Sequence, residues 1–188
     1  MMHSPADRHV MADPRYAPLD RRRGTMDHIC TADLCDDRPD EVEVCSSPMH
    51  LYGGRRRFRG EIATVGTDGD AGLVKQELAS EGRSRILVVD GGGSLDVALF
   101  GDRLADLAIR NGWAGVVVFG AVRDTQALAT LDLGVAALGT APRRGRLDAA
   151  GSIGVSFDRG GARFSPGRIL VCDMDGMVVT DSPSSAGG

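Results

Sequence analysis

Leu87–Asp124 reads LVVDGGGSLDVALFGDRLADLAIRNGWAGVVVFGAVRD. Two apolar, β-branched runs, Ile86–Val89 and Val116–Phe119, each lead into a glycine-bearing loop that brings in carboxylates. Between them, Asp102–Asn111 has helical spacing, with Leu104, Leu107 and Ala108 on one face. The pattern predicts a strand–helix–strand unit. Ligands of such units gather just past the carboxyl ends of the strands. Asp102 at the helix start and Arg123-Asp124 after the second strand both fall on that rim. An arginine beside an aspartate there can clamp an anionic substrate and hold a metal.

Outward from this unit the patterning is weaker. Upstream, residues 27–36 are expected to be a short helix and Glu41–Val44 a strand. Ile62–Val65 reads as a strand, Gly66–Asp70 as a turn, and Ala71–Ser80 as a helix with Leu73, Val74 and Leu78 on one face. Downstream, Thr125–Leu131 predicts a short helix and Val135–Leu138 a buried strand. Pro142–Ala150 is expected to be a basic, flexible loop. Ile153–Phe157, Arg163–Phe164, Ile169–Cys172 and Met177–Thr180 are read as short strands between Gly, Pro and Asp-Gly turns. Helices in the middle and strands at the end argue for an α/β domain with a mixed sheet, not a doubly wound one. Residues 1–25 hold three prolines and the Arg21-Arg22-Arg23 run without apolar periodicity, which predicts a disordered extension, with Met26 as an alternative start. The domain is placed at 26–181, and 182–188 reads as a flexible tail.

Composition narrows the classes. A chain of 188 residues, 42% hydrophobic, suits one domain with an ordinary core. The net charge of −4 gives no global case for nucleic-acid binding. No apolar run is long enough to span a bilayer, and no signal-type segment opens the chain, so a cytoplasmic location is expected. The four cysteines form no CxxC pair and are read as reduced thiols, with Cys30 and Cys35 poor candidates for metal ligands. Lys75 is the only lysine, and His3, His9, His28 and His50 all lie in the first 50 residues. Chemistry in the glycine-rich remainder must run on Asp, Glu, Arg and backbone groups, with or without a metal.

Each motif has a plainer reading beside the functional one. Asp90-Gly91-Gly92-Gly93-Ser94 either presents amides to an anion or makes a tight turn, and the sequence leaves both open. It is neither a P-loop nor a dinucleotide fingerprint. Asp102 can serve as a helix N-cap, while the amides of Gly101, Asp102, Arg103 and Leu104 can hold a carboxylate at the helix start. Arg55-Arg56-Arg57 with Arg59 reads as solvated surface, and Trp113 as core.

Taken together, residues 27–180 resemble the RraA-like, class II pyruvate-aldolase family. The matching pieces are Thr31-Ala32-Asp33-Leu34-Cys35-Asp36, Gly53-Gly54-Arg55 with Phe58 and Gly60, Val88–Ser94, Gly101-Asp102, Gly120–Asp124 and Asp132-Leu133-Gly134. Asp102 and Arg123-Asp124 reproduce that family's D-x20-R-D pattern. The resemblance implies a swivelling β/β/α fold, a homotrimer, and a divalent cation, Mg²⁺ or Mn²⁺. It also implies cleavage of 4-hydroxy-4-methyl-2-oxoglutarate to two pyruvates with decarboxylation of oxaloacetate. On it, Asp124 is expected to ligate the metal, Asp102 to hold water on it, and Arg123 to donate to the keto oxygen. Gly101–Leu104 would take a substrate carboxylate.

Two absences fit that expectation. A Schiff-base aldolase needs a pocket lysine, and Lys75 reads as lying on the polar face of its helix. A zinc aldolase would want histidines, and the central unit has none. The chain departs from longer aldolases in its short C-terminus; in those proteins a neighbouring subunit adds an acid. Other members inhibit ribonuclease E by protein contact, and some of these lack the aspartate of the R-D pair. A regulatory protein with a ribonuclease E-type partner is therefore the rival expectation. A methyltransferase is the third, and the incomplete glycine motif argues against it.

Overall fold

The structure, a computed structural model, describes residues 30–182. The expected extension over 1–25, positions 27–29 of the first helix and positions 183–188 of the tail lie outside the described residues. In chain order the elements are α1 (Thr31–Asp37), β1 (Val42–Val44), β2 (His50–Leu51), β3 (Phe58–Gly66), α2 (Gly72–Leu78), β4 (Ile86–Asp90), β5 (Ala98–Phe100), α3 (Asp102–Arg110), β6 (Gly115–Val122), α4 (Thr125–Leu128), β7 (Gly134–Thr140), β8 (Ser152–Ile153), β9 (Phe157–Arg159), β10 (Ala162–Phe164), β11 (Ile169–Cys172) and β12 (Met177–Thr180).

β3, β4, β6 and β7 are parallel neighbours in that order. β11 adds antiparallel to β3, β12 to β11 and β1 to β12, while β2 closes the other edge against β7. β3 serves three neighbours: Phe58–Glu61 pair with β11, Ile62–Gly66 pair with β4, and Val65 and Gly66 also pair with β8. The antiparallel strands thereby join the parallel ones in one mixed sheet, as the sequence predicts.

The apolar runs are continuous because both faces of the parallel strands are covered. Leu87, Val89, Val116 and Val118 face a core shared with α2, α3 and α4. Ile86, Val88, Val117 and Phe119 face a second core shared with β10, β11 and β12. All three crossover helices therefore contribute to one core, with antiparallel strands on the other. Phe119, Phe157 and Phe164 form the aromatic centre of the second core, with ring centroids 5.0–6.0 Å apart.

Several boundaries differ from expectation, each for a local reason. α1 begins at Thr31, where the Asp173 carboxylate accepts from the Thr31 amide (2.8 Å) and hydroxyl (2.7 Å). β5 was not expected at all. It is three residues long and resumes pairing along β6 where β4 stops: β4 ends beside Phe119, and Ala98 and Phe100 pair with Ala121 and Val122. The glycine-rich loop is thus an excursion between two strands. Its amides turn inward, Gly91 and Gly93 donating to the Phe119 carbonyl (3.0 and 3.1 Å) and Gly92 to Asp90 Oδ1 (3.1 Å). The tight-turn reading holds, with Gly92 and Gly93 at φ +67° and +79°.

Pro142–Ala150 is no free loop. Its backbone bonds to Ala98, Gly69 and Ala71, and Asp148 N donates to buried Asp70. Ile153–Phe157 is not one strand either. Ser152–Ile153 pairs with β3 and Phe157 opens the β9–β10 hairpin, with Gly154 at φ +74° between them. Gly53-Gly54-Arg55 and Asp132-Leu133-Gly134, far apart in sequence, form one cluster. A Cβ on Gly53 would sit 2.1 Å from the Leu133 carbonyl oxygen, and Arg55 grips Asp132 through two nitrogens at 3.0 and 2.9 Å. Arg55 is therefore a structural residue and not merely solvated surface.

Candidate active site

The carboxyl ends of β5 and β6 lie side by side, and each turns directly into functional residues. β5 ends at Phe100, and Gly101 caps α3 with extended backbone and no side-chain cap. Asp102 is the first helical residue, not the N-cap. Its Oδ1 accepts from the Arg103 amide at 2.6 Å. A carboxylate in this first turn is favoured by the helix dipole. Arg123 N donates to the Phe100 carbonyl (3.0 Å), which ties the exit of β6 to the exit of β5.

Asp124 follows in the left-handed region (φ 57°, ψ 38°) as the N-cap of α4. That conformation costs about 1–2 kcal/mol for most residues, but Asp and Asn adopt it readily. It swings the Asp124 carboxylate back toward α3. Oδ2 lies 3.3 Å from Arg123 Nε and accepts from the Asp102 amide at 3.4 Å. Both side chains are about one-third exposed, at 31% and 35%.

Gly101 is needed here for space, not for backbone freedom. A Cβ would stand 2.7 Å from Asp124 Oδ2 and 3.0 Å from Arg123 Cγ. Gly101→Ala is expected to push the Arg123–Asp124 pair apart and lower kcat/KM at least about tenfold. The secondary structure should survive. Steady-state kinetics with circular dichroism checks this, and wild-type kinetics in Gly101→Ala would remove the cradle from the account.

Asp102, Arg103, Leu104 and Arg123 line a cavity of about 280 Å³. That volume suits a small metabolite. The cavity lining thus brings together five of the six site residues expected from sequence, Gly101 included. Asp124 borders the cavity through its contacts with Gly101 and Arg123.

Three cationic residues of the cavity lie outside the expected site: Arg110, Arg144 and Lys75, which the sequence places away from the pocket. Arg103, Leu107 and Arg110 recur at i, i+4 and i+7, so that face of α3 was legible. Lys75 does lie on the polar face of α2, but that face turns toward the cavity. It stays exposed. A hydrated ammonium is a poor Schiff-base nucleophile. A larger hollow, about 680 Å³, lies near the opposite ends of the strands against Arg57, Phe58 and Trp113. The one carboxylate lining it, Asp132, is held by Arg55, so it offers no free acid to react.

Among the described residues no three His, Cys, Asp or Glu side chains form a metal cluster. The donors at hand are Asp102 and Asp124, both hard carboxylates. That set does not fit a zinc site or a calcium cage. It fits a Mg²⁺-class cation, which keeps several waters and takes one or two carboxylates. The open cradle at Gly101, which a Cβ would fill, lies beside Asp124 Oδ2.

Known proteins resemble this chain over most of its length. A protein of Aromatoleum aromaticum named "Putative 4-hydroxy-4-methyl-2-oxoglutarate aldolase" is 44% identical over 152 residues, 81% of this chain and 96% of that one. A Pseudomonas syringae protein of the same name is 42% identical over 156 residues, 83% of this chain and 96% of that one. Among solved structures, one from Geobacillus kaustophilus named as an S-adenosylmethionine:2-dimethylmenaquinone methyltransferase superposes with a TM-score of 0.81 at 42% identity, covering 85% of this chain and 100% of that one. The RNA-processing inhibitor RraA from Thermus thermophilus superposes with a TM-score of 0.79 at 39% identity, covering 84% and 96%. Residues 31–179 match the family described as "RraA-like: Aldolase/RraA", and the chain belongs to that family.

Proposed function

We propose that this protein is a divalent-metal-dependent aldolase that cleaves 4-hydroxy-4-methyl-2-oxoglutarate to two pyruvates and decarboxylates oxaloacetate at the same site. One observation carries the reading: the left-handed turn after β6 holds Asp124 3.3 Å from Arg123 Nε at the mouth of a small cationic cavity. Relatives named as aldolases, at 42–44% identity over nearly their whole length, support the reaction class.

Arg123 binds the 2-keto oxygen of the substrate through guanidinium nitrogens that Asp124 leaves free. In the retro-aldol step the C3–C4 bond breaks and its electron pair enters the C2–C3 enolate. The 4-hydroxyl loses its proton and becomes the second keto group. Arg123 holds the oxygen on which that negative charge develops. Asp102 orients the water that takes up the hydroxyl proton. Protonation of C3 then releases pyruvate. In oxaloacetate the same bond breaks, carbon dioxide leaves and the same enolate forms. A cation held by Asp124, with Asp102 on its water shell, would supply Lewis-acid polarisation of the keto group. The substrate carboxylate at the helix start would displace the Asp102 carboxylate from the Arg103 amide.

The methyltransferase reading has no support at the glycine-rich loop, whose amides are engaged within the protein. Pyruvate release from both substrates, with Mg²⁺ and then with EDTA and with metal-only background subtracted, tests the proposal. Chelator-sensitive turnover is the expected result, and a folded protein without turnover above background overturns it. Borohydride added with pyruvate should trap no adduct on Lys75; a trapped adduct would replace the metal reading by a Schiff-base one.

A further inference from the structure

Five cationic side chains line the 280 Å³ cavity, and Asp102 is its only carboxylate. Arg123 is engaged by Asp124. Lys75, Arg103, Arg110 and Arg144 form no side-chain hydrogen bond or ion pair among the described residues. A site for a single carboxylate and a keto oxygen does not need this excess of positive charge. A substrate with a further anionic group, remote from the reacting keto acid, does.

Arg144 is placed differently from the others. Its segment pairs with β5 on the edge opposite β6: Ala98 N donates to the Arg143 carbonyl (2.7 Å), and Gly145 N donates to the Ala98 carbonyl (2.9 Å). β5 therefore lies between Arg144 and the β6 exit that carries Arg123. Two interstrand spacings separate those backbones, about 10 Å. Arg123 and Arg144 both line the cavity, on segments either side of β5. Lys75 offers only a point charge, whereas Arg144 offers a planar fork suited to a carboxylate.

The wall that carries Arg144 is anchored by Asp70. This carboxylate is fully buried. It accepts from Gly72 N (2.6 Å) and Asp148 N (2.8 Å). Burial works to raise its pKa, but the amides of Gly72, Asp148, Ala149 and Ala150 outweigh it and keep the group below the usual carboxylate range. Across the same seam Thr67 Oγ1 donates to the Ala150 carbonyl (2.9 Å) and Ala71 N donates to the Arg146 carbonyl (2.8 Å). A charged group has been buried to hold a surface loop still.

Resting on the aldolase reading above, we propose that Arg144 is the residue that reads the substrate's second, distal carboxylate, and that Asp70 is its positioning residue. Substrate choice then depends on a side chain outside the D-x20-R-D pattern.

The test compares 2-oxoglutarate with 2-oxopentanoate, which differ only in a terminal carboxylate against a methyl group. Binding of each, with Mg²⁺ present, is measured by calorimetry. The wild type should prefer 2-oxoglutarate by about tenfold, the scale of one charged hydrogen bond. Arg144→Gln should bring that ratio close to one. Asp70→Asn presents a donor where amides need an acceptor. It should lose the same preference, and the double variant should lose no more. Faster hydrogen exchange at Asp148–Ala150 would accompany it. Should Asp70→Asn fail to fold, the Arg144→Gln ratio decides alone. A wild-type ratio near one, or an unchanged ratio in Arg144→Gln, overturns the proposal while pyruvate release leaves the aldolase reading standing. A wild type that binds neither acid and releases no pyruvate overturns both.

Discussion

Arg123→Ala should lower kcat for both substrates by about 10²–10³-fold, equivalent to roughly 2.7–4 kcal/mol of barrier, the scale of removing one oxyanion donor. KM should change little. The enolate oxygen carries far more charge than the ketone it comes from, so a donor aimed at it is worth more in the transition state than in the bound substrate. The tertiary structure should not change. The Arg123 backbone bond to Phe100 does not depend on the side chain, and the guanidinium is partly exposed. Arg123→Lys should recover only part of the loss, because an ammonium cannot bond Asp124 and the substrate in the same planar fork. Steady-state kinetics on oxaloacetate gives the answer directly. A rise in KM with kcat intact would make Arg123 a binding residue and take the enolate role from it.

What the sequence made legible follows from how local the determining forces are. Leu87–Val89 and Val116–Phe119 announce buried strands because every side chain on them is apolar, and the structure divides those side chains between two cores. The face of α3 with Leu104, Leu107 and Ala108 is set by spacing alone, and it packs on the helical core. The Arg123-Asp124 rim follows from strand direction. β5 escaped because three apolar residues after a glycine loop carry no period of their own; only the exposed edge of β6 past Phe119 makes them a strand.

The 142–150 segment reads as a flexible basic loop because its order comes from partners 40 to 80 positions away, Ala98 and Asp70 among them. Asp70 itself looked like any turn aspartate. Its burial and its amide partners exist only once the chain has closed on it. The cationic cavity is non-local in the same way: Lys75 comes from α2, Arg110 from α3 and Arg144 from the segment after β7. The family pattern names Asp102, Arg123 and Asp124, and it says nothing of the wall facing them.

Asp124→Asn should abolish metal-stimulated pyruvate release, by at least about 10²-fold, with the fold intact. The choice of asparagine matters. Asp124 sits at φ 57°, where asparagine is as comfortable as aspartate, while alanine would add about 1–2 kcal/mol of strain. A loss of activity in Asp124→Ala would mix backbone strain with lost chemistry, and Asp124→Asn separates them. The amide retains a carbonyl oxygen for the Asp102 amide, so the seam between β6 and α3 can persist. It loses the charge that attracts a hard cation and pairs with Arg123. Thermal melting should therefore stay within a few degrees of wild type, since a partly exposed ion pair contributes about 0–1 kcal/mol. Titration with Mg²⁺ supplies the second readout. Wild-type activity should rise to saturation, and the variant should stay at background across the range. A variant that still responds to Mg²⁺ with wild-type turnover would place the cation elsewhere. A variant that melts much earlier would show that the turn after β6 depends on the charge at Asp124 and not on its backbone alone.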